Sequence, residues 1–461
     1  MLDWIDPASP AAIAALALCF LLVLAFEVSN GFHDTANAVA TVIYTHSLPP
    51  IAAVLLSGAM NFAGVLLGGV AVAFTLVELL PPTVLTPPDG NPALAMLLAL
   101  FLGALVWNVA TWWRGLPASS SHALIGGLLG IALAEALRTA TAPGQAVDWS
   151  QAWAVLRALL LSPIMGFVGA ALLFRLLRLV TANGRLFQPT TPGRPPALWV
   201  RLLLIATCGG VSFTHGSNDG QKSIGLIMLT VIGLMPAHFA LNVATPPQDL
   251  PRIAAAAAQA APLIAAGDTG SEGQAAADAQ RIETALRGAR QVADVPEADR
   301  AAVRDAVFHV IAALDRVGNR KDRPASDRAE AHRLHDVLRG TVEYAPDWVR
   351  LLSALCLGGG TLIGYRRIVT TLGERIGRQH LTPAQGASAE LVGAALIGSA
   401  GFSGLPVSTT HIVTSGIAGT MVQAGAGLRP GIVWQIVTAW VLTLPATILL
   451  SGGLFWILAG R

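Results

Sequence analysis

Two short polar motifs each occur twice in this chain, and all four copies lie within apolar sequence. The first motif reads SNGFHDTANAVAT at residues 29–41 and THGSNDGQKSIG at residues 214–225. The second motif reads GLPASSSH at residues 115–122 and GLPVSTTH at residues 404–411. Charged groups inside apolar segments are costly and mark functional sites by default. We call these four segments the polar motifs, and the rest of the chain is interpreted around them.

The composition is that of an integral membrane protein. Hydrophobic residues make up 54% of the chain and charged residues only 12%, and the mean hydropathy is +0.61. Most of the apolar runs are long enough to form helices across a hydrocarbon core about 30 Å thick. These runs cover roughly residues 11–28, 50–76, 93–113, 152–180, 347–372, 388–400 and 430–459. The period-two alternation of strands is absent, so the sequence predicts an all-α polytopic membrane protein with about 10–12 membrane segments.

Residues 11–46 are apolar but are interrupted by the first polar motif. The span is too long for one simple crossing, so we expect a discontinuous or kinked helix with an unwound middle at Gly31 that faces a cavity. The alternative is a helix whose polar side chains pair with neighbouring helices.

The two copies of each motif reveal an internal repeat. Asp34 and Asp219 are 185 residues apart, whereas His122 and His411 are 289 residues apart. The second half must therefore contain an insert, which fits residues 245–346 because they hold half of the charged side chains. About five crossings separate the starts of the two halves. An odd number inverts the second half, so we predict two inverted-topology repeats with discontinuous helices and re-entrant hairpins, as in secondary transporters.

These patterns define the predicted domains. We expect an N-terminal transmembrane repeat at 1–181, a cytoplasmic connector at 182–198, a C-terminal transmembrane repeat at 199–244 and 347–461, and a soluble charged helical insert at 245–346. A disordered charged linker is the alternative for the insert. The connector is assigned to the cytoplasm because it and its flanks carry arginines but no acidic residue. The N-terminus lacks the basic segment of a cleaved signal peptide.

Three groups in the polar motifs have distinct chemistry. The proline and hydroxyl residues of the second motif predict helix starts, whose free N–H groups and positive dipole end favour an anion. Four of the ten histidines lie in the motifs, and a lone intramembrane histidine is more often a hydrogen-bonding partner than a proton carrier. Lys222 is one of only two lysines in the chain, the other being Lys321. We therefore expect Lys222 to supply a compact, titratable ammonium to the site. The alternative is that Lys222 only neutralises the charge of Asp219.

At these residues the chain resembles the PiT family of inorganic phosphate transporters. The segment that ends at Thr41, the copy at His215–Ile224 and the segment Leu405–Gly416 are similar to the duplicated signatures of that family. The similarity extends through both hydrophobic halves, and the insert is expected to lie outside it. The resemblance is greatest to the bacterial low-affinity branch, which implies proton coupling and phosphate carried partly as neutral complexes with divalent metals.

The resemblance implies a role for each matching residue. The residues that match the cation-coupling region of the family are Asn30, Asp34, Asn37, Asn218 and Asp219. To these we add the acidic and basic residues Glu27, His33 and Lys222. Residues that match the phosphate-binding hairpin tips are Ser119, Ser120, Ser121, Ser408, Thr409 and Thr410, with His122, His215 and His411 in support. His33 and Lys222 stand where sodium-coupled members have asparagine. An ammonium at a sodium site supplies the positive charge that the sodium ion would bring. The substitution of lysine for asparagine therefore favours proton coupling.

We therefore predict a proton-coupled phosphate symporter of the bacterial inner membrane that is not an enzyme and uses no cofactor, no resident metal and no nucleic acid. Sodium coupling or another tetrahedral oxyanion such as sulfate or arsenate is the first alternative. An intramembrane serine hydrolase built on Ser403 and His411 is a second, and a passive channel is a third. Duplication of the hydroxyl cluster favours a two-fold pore lining over a single catalytic dyad. The oligomeric state stays open, with a homodimer as one candidate.

Overall fold

The protein is described by a computed structural model that covers residues 10–77, 92–140, 147, 149–181, 184–190, 195–234, 239–265 and 270–459. Within these residues the fold is almost entirely helical, and the only β contact is an isolated bridge between Gly377 and Leu428. The predicted all-α membrane fold is therefore confirmed. The proline-rich turn expected around residues 81–88 lies outside the described residues.

The described helices cover the predicted apolar runs, but α1 extends to Tyr44, and the runs at 50–76 and 347–372 are each broken into two helices. In the first half they are α1 (Pro10–Tyr44), α2 (Pro50–Leu67), α3 (Ala71–Val77), α4 (Pro92–Trp113), α5 (Ser120–Arg138) and α6 (Trp149–Val180). After a 3₁₀ turn at Gly184–Phe187 come α7 (Leu198–Leu234) and four helices of the insert, α8 (Leu250–Ala265), α9 (Gly270–Leu286), α10 (Glu297–Asn319) and α11 (Ala325–Arg339). The last helices are α12 (Asp347–Gly360), α13 (Arg366–Thr370), α14 (Pro383–Phe402), α15 (Thr409–Ala424) and α16 (Pro430–Leu458).

The chain divides into two compact units. The larger unit comprises residues 14–227 and 346–461, and it holds all four polar motifs. Seven described helices are long and apolar enough to cross a membrane: α1, α2, α4, α5, α6, α7 and α16. Together with α12, α14 and α15 they make ten helices, which is the lower end of the predicted number.

The smaller unit consists mainly of residues 228–345. Its four helices α8 to α11 bury their own apolar core, which includes Ile253, Ile282, Val310 and Leu334. In α10 valine, isoleucine and leucine recur at helical spacing, which places them on the face that packs into this core.

The break expected within residues 11–46 is absent, because α1 is continuous from Pro10 to Tyr44. Its polar residues bond within the helix and to neighbouring helices, so the backbone has no need to unwind. Gly31 serves close packing instead, since a Cβ there would lie 2.4 Å from the carbonyl oxygen of Leu357 in α12. The expectation of an unwound middle at Gly31 was therefore wrong, and the alternative of pairing with neighbouring helices applies.

The membrane helices are instead interrupted at two other pairs of positions. One pair separates α2 from α3 and α12 from α13. The other pair forms the turns between α4 and α5 and between α14 and α15, which we call the hairpin tips. Each tip begins with a glycine at positive φ, Gly115 at 66° and Gly404 at 68°, a conformation that glycine adopts without strain.

The two tips are held by equivalent contacts from opposite halves of the chain. Thr371, which directly follows α13, donates to the carbonyl oxygen of Gly115 at 2.7 Å. Thr75 of α3 donates to the carbonyl oxygen of Gly404 at 2.9 Å. Likewise α5 packs on α16, and α15 packs on α6. This reciprocal arrangement is the geometry that two inverted repeats produce.

We expect Gly216→Ala to destabilise the protein by about 1–3 kcal/mol, because overpacking forces helices apart. A Cβ at Gly216 of α7 would lie 2.2 Å from the carbonyl oxygen of Asn61 in α2. The matched control is Gly210→Ala on the same helix, where no atom lies within 4 Å of the added Cβ. The measurement is the midpoint of thermal unfolding in detergent, and equal midpoints for the two variants would contradict the packing argument.

Candidate functional site

The four polar motifs come together at one buried site in the larger unit. The first motif and its copy lie in the middle of α1 and α7, and the second motif and its copy form the hairpin tips. All the site residues predicted from the sequence are buried, with at most 5% of any of them exposed. Tertiary structure therefore places side chains from four distant segments within contact distance.

The two tips have the same cap geometry. Ser119 caps α5 by accepting the backbone N–H of His122 at 3.2 Å, and Ser408 caps α15 by accepting the backbone N–H of His411 at 3.1 Å. These two serines therefore perform the ordinary task of an N-cap. Ser120 and Thr409 occupy the first position of each helix, where backbone N–H groups favour an anion.

Lys222 is the cation at the centre of the site. Its Nζ donates to Oδ1 of Asp219 at 2.6 Å, to Oγ of Ser121 at 2.7 Å and to the carbonyl oxygen of Val407 at 3.0 Å. Ser121 lies in the first tip and Val407 in the second, and Oγ of Ser121 also donates to that carbonyl oxygen at 3.1 Å. One ammonium thus links α7 to both hairpin tips.

The first half repeats this arrangement without the positive charge. Asn37 occupies the position equivalent to Lys222, and its Nδ2 donates to Oδ1 of Asp34 at 3.0 Å and to Oγ1 of Thr410 at 3.2 Å. Thr410, the counterpart of Ser121, also donates to Oδ1 of Asp34. The two halves therefore present the same three-residue pattern, and they differ by one charge.

His215 lies between the two aspartates. Its Nε2 is 3.3 Å from Oδ2 of Asp34 and 3.4 Å from Oδ2 of Asp219. Its Nδ1 is 2.6 Å from Oδ1 of Asn61, a carbonyl oxygen that can only accept a hydrogen bond. A neutral ring that donates through Nδ1 turns a lone pair towards the two carboxylates. A proton on Nε2 or a cation is therefore required to hold these three groups together.

These three side chains also have the composition of a metal-binding group. Their ligand atoms lie within 4.8 Å of one another, and all three residues are buried. Two carboxylate oxygens and one imidazole nitrogen suit a divalent cation. The cluster could therefore hold a cation, although the sequence predicts no resident metal.

Three other predicted residues lie around this cluster. Asn30 accepts from Oγ of Ser120 at 2.5 Å and lies 3.4 Å from Oδ2 of Asp219, so it joins the first tip to the carboxylates. Asn218 donates to the carbonyl oxygen of Leu405 at 3.4 Å. The ring of His33 contacts the carbonyl oxygen of Asn108 in α4 at 2.7 Å.

The two tip histidines stack against each other. The ring centroids of His122 and His411 are 4.5 Å apart, and His411 stacks on Trp440 of α16 at 4.0 Å. Nδ1 of His122 is 2.9 Å from Oγ of Ser119. These contacts pack the two rings between the tips and against α16.

Two buried glutamates complete the polar interior. Glu27, which the sequence analysis selected, accepts from the hydroxyl of Ser223, the residue after Lys222. Glu390 in α14, which it did not select, accepts from Oγ1 of Thr207 at 2.5 Å. Both carboxyl groups are fully buried, and Oε1 of each has no hydrogen-bond partner within the described part of the chain.

Sequence reasoning missed Glu390 because a single acidic residue in an apolar helix carries no motif. It also missed Asn61 and Asn108, which have no counterpart in the polar motifs. Their intramembrane position was the available signal. Ser403, the nucleophile of the hydrolase alternative, is exposed and donates to the carbonyl oxygen of Ser399 at 2.9 Å.

Comparison with known proteins gives a consistent result. The family model described as the phosphate transporter family matches residues 30–451. The chain is 40% identical to the low-affinity inorganic phosphate transporter PitA of Escherichia coli, and the alignment covers 96% of each protein. It is 28% identical to a probable low-affinity inorganic phosphate transporter of Bacillus subtilis, with 96% of each protein covered.

The alignment with the E. coli relative also corrects one expectation. Residues 245–346 make up about a fifth of the chain, so an alignment over 96% of the chain extends through the insert. The expectation that the insert lies outside the resemblance was therefore wrong.

A solved structure supports the fold. A sodium-dependent phosphate transporter matches 97% of this chain and 99% of its own chain with a TM-score of 0.55 and 19% identity, a level that speaks for the fold alone. The relatives and the apolar helices identify a multi-pass plasma membrane protein, and a transporter rather than an enzyme. The chain belongs to the phosphate transporter family.

Proposed function

We propose that this protein imports inorganic phosphate by proton symport through alternating access. The observation that carries the proposal is the position of Lys222, whose ammonium contacts a carboxylate of α7 and both hairpin tips at once. An amino group in this place can attract a phosphate oxygen and neutralise Asp219 in the absence of a sodium ion. The low-affinity phosphate transporters among the relatives support phosphate as the cargo.

Phosphate is proposed to bind between the hairpin tips. Helix α5 and helix α15 begin there, and each start supplies backbone N–H groups and the positive end of a dipole. The hydroxyls of Ser120, Ser121, Thr409 and Thr410 add donors in the same region. Ser119 and Ser408 hold the helix starts in place as caps, so their contribution to binding is to position these N–H groups.

The charge difference between the halves is proposed to set the coupling ion. Asp219 has a tethered cation in Lys222, whereas the equivalent Asp34 has the neutral Asn37. A sodium ion beside Asp219 would be repelled by the ammonium 2.6 Å from the same carboxylate. A proton shared among His215, Asp34 and Asp219 meets the remaining requirement for positive charge.

Divalent metal is proposed to enter as part of the cargo. A neutral metal phosphate complex needs oxygen and nitrogen ligands for the metal next to donors for the phosphate. The cluster of Asp34, His215 and Asp219 offers the ligands, and Lys222 and the tips offer the donors.

Alternating access is proposed to follow from the reciprocal contacts of the tips. The first tip bonds to α7 through Ser121 and Lys222, and the second tip bonds to α1 through Thr410 and Asp34. Because the repeats are inverted, release of one tip would open the site to one side and release of the other tip to the opposite side. The hydrogen bond between Ser121 and the carbonyl oxygen of Val407 joins the two tips directly, so either movement would have to break it.

We expect Lys222→Asn to reduce phosphate accumulation driven by a pH gradient at least about tenfold, because removal of one partner of a buried pair leaves an uncompensated charge. The measurement is phosphate uptake into proteoliposomes with separately imposed pH and sodium gradients. Lys321→Asn is the matched control, since it removes the only other lysine and lies exposed in the insert. Uptake by the unaltered protein under a sodium gradient alone would refute proton coupling.

The metal ligands predict a binding result that does not depend on transport. His215→Asn should weaken Co²⁺ binding to the purified protein about tenfold or more, because it removes the only nitrogen ligand of the cluster. Binding is measured by titration calorimetry in detergent with phosphate present. His46→Asn, at an exposed position with φ of 54° that asparagine tolerates, is the control. Equal affinities for the two variants would exclude the cluster as the metal site.

Glu27 allows the proton path to be separated from phosphate binding. Glu27→Gln keeps an acceptor for Ser223 but cannot release a proton. We expect the variant to lose accumulation driven by a pH gradient and to keep exchange of external for internal phosphate, which requires no net proton movement. Glu135→Gln, which breaks the pair with Arg138 at the end of α5, is the control. Loss of both activities only in Glu27→Gln would assign Glu27 to substrate binding instead.

A further inference from the structure

A second candidate site lies outside the four polar motifs, beside Gly115 at the start of the first hairpin tip. It is a cavity of about 420 Å³ between the end of α4 and the break that separates α12 from α13. The residues that line it are Trp112, Leu362, Ile363, Gly364, Tyr365, Arg366 and Arg367. Leu362 and Ile363 are 48% and 59% exposed, so the cavity has an apolar margin as well as two guanidinium groups.

The wall of this cavity is held by specific contacts. Trp112 donates from its indole N–H to the carbonyl oxygen of Gly364 at 2.8 Å. The guanidinium of Arg367 lies 5.1 Å from the ring of Trp112 and 4.6 Å from the ring of Trp113, and it donates to the carbonyl oxygen of Trp113 at 2.6 Å. Arg366 is exposed, and its guanidinium has no partner among the described residues. The cavity therefore has one fixed cation and one free cation.

A series of hydrogen bonds shows that the cavity lies at the same end of the larger unit as the connector. Thr371 beside α13 bonds to Gly115, and Glu374, three residues further on, accepts from the hydroxyl of Tyr44 at 2.8 Å. The carbonyl oxygen of Tyr44 accepts in turn from Thr190 of the connector at 3.3 Å. The cavity and the connector thus share one end of the membrane helices.

This end is strongly basic. Among the described residues it carries Arg114, Arg175, Arg178, Arg185, Arg201, Arg366, Arg367, Arg375, Arg378 and Arg429, against the single acidic residue Glu374. The opposite end carries Arg138, Arg157 and Arg350. An excess of arginine marks the cytoplasmic side of a membrane protein. The anionic lipids of that leaflet are attracted to such clusters, and basic pockets between helices on this side bind lipid head groups.

We propose that this cavity binds the phosphate group of an anionic phospholipid from the cytoplasmic leaflet. Arg366 and Arg367 contact the head group, the two tryptophans lie at the interface, where tryptophan is enriched, and the acyl chains lie along Leu362 and Ile363. The equivalent contacts of Thr371 and Thr75 with the two hairpin tips relate the break between α12 and α13 to the break between α2 and α3. The latter break has Val70 and Ala71 where the former has Arg366 and Arg367, so it lacks both arginines.

The test is native mass spectrometry of the purified full chain with phosphatidylglycerol or phosphatidylcholine of the same acyl chains. We expect retained phosphatidylglycerol on the unaltered protein and about fivefold lower occupancy on Arg366→Gln, as one arginine fewer near an anionic lipid predicts. Arg157→Gln, an exposed arginine at the opposite end, is the matched control and should retain the lipid. Arg366→Gln removes no intramolecular contact of its guanidinium, so it is expected to fold.

Two results would overturn the proposal. One is equal retention of phosphatidylglycerol by Arg366→Gln and Arg157→Gln. The other is displacement of the bound lipid by millimolar inorganic phosphate, which would identify the cavity as a second site for free phosphate. Neither result depends on transport activity, so the outcome is independent of the coupling mechanism.

Discussion

The buried contact between the Lys222 ammonium and the Asp219 carboxylate is the interaction on which the site depends. Two charges withdrawn from water are stable only when both are fully hydrogen-bonded. The remaining protons of the ammonium are taken by Ser121 and by the carbonyl oxygen of Val407. The two hairpin tips are thus required as partners of a charge on α7, and the geometry of the site follows from that requirement.

The same requirement explains how the two halves differ. The backbone and the pattern of Asp, amide and hydroxyl groups are repeated, but the second half has an ammonium where the first has the amide of Asn37. The aspartate of the first half is left to share His215 with its counterpart. One substitution at a symmetric position therefore removes the symmetry of charge and leaves the symmetry of structure intact. In the proposed mechanism this difference decides which cation completes the site.

Glycine lets the polar interior form without unwinding the long helices. Gly31 and Gly216 bring α1 against α12 and α7 against α2 at distances that no Cβ would permit. This approach allows Asn61 of α2 to reach His215, and the polar residues of α1 and α7 can then be satisfied by side chains of neighbouring helices. The irregular backbone lies instead at the hairpin tips and at the breaks beside α3 and α13. There the serine caps and the hydroxyls of Thr75 and Thr371 form hydrogen bonds with the backbone groups.

The sequence by itself determined the membrane class, the duplication and the residues of the four polar motifs. It could do so because apolar length, helix starts and intramembrane charge are local properties of the chain. It could not determine that α1 and α7 are continuous, since polar side chains in a helix are tolerated only when another helix supplies their partners. It also did not single out Glu390, Asn61 or the cavity beside Arg366, and it did not identify Asn108 of α4 as the partner of the His33 ring. Those features depend on which surfaces meet in three dimensions, and only the tertiary structure decides that.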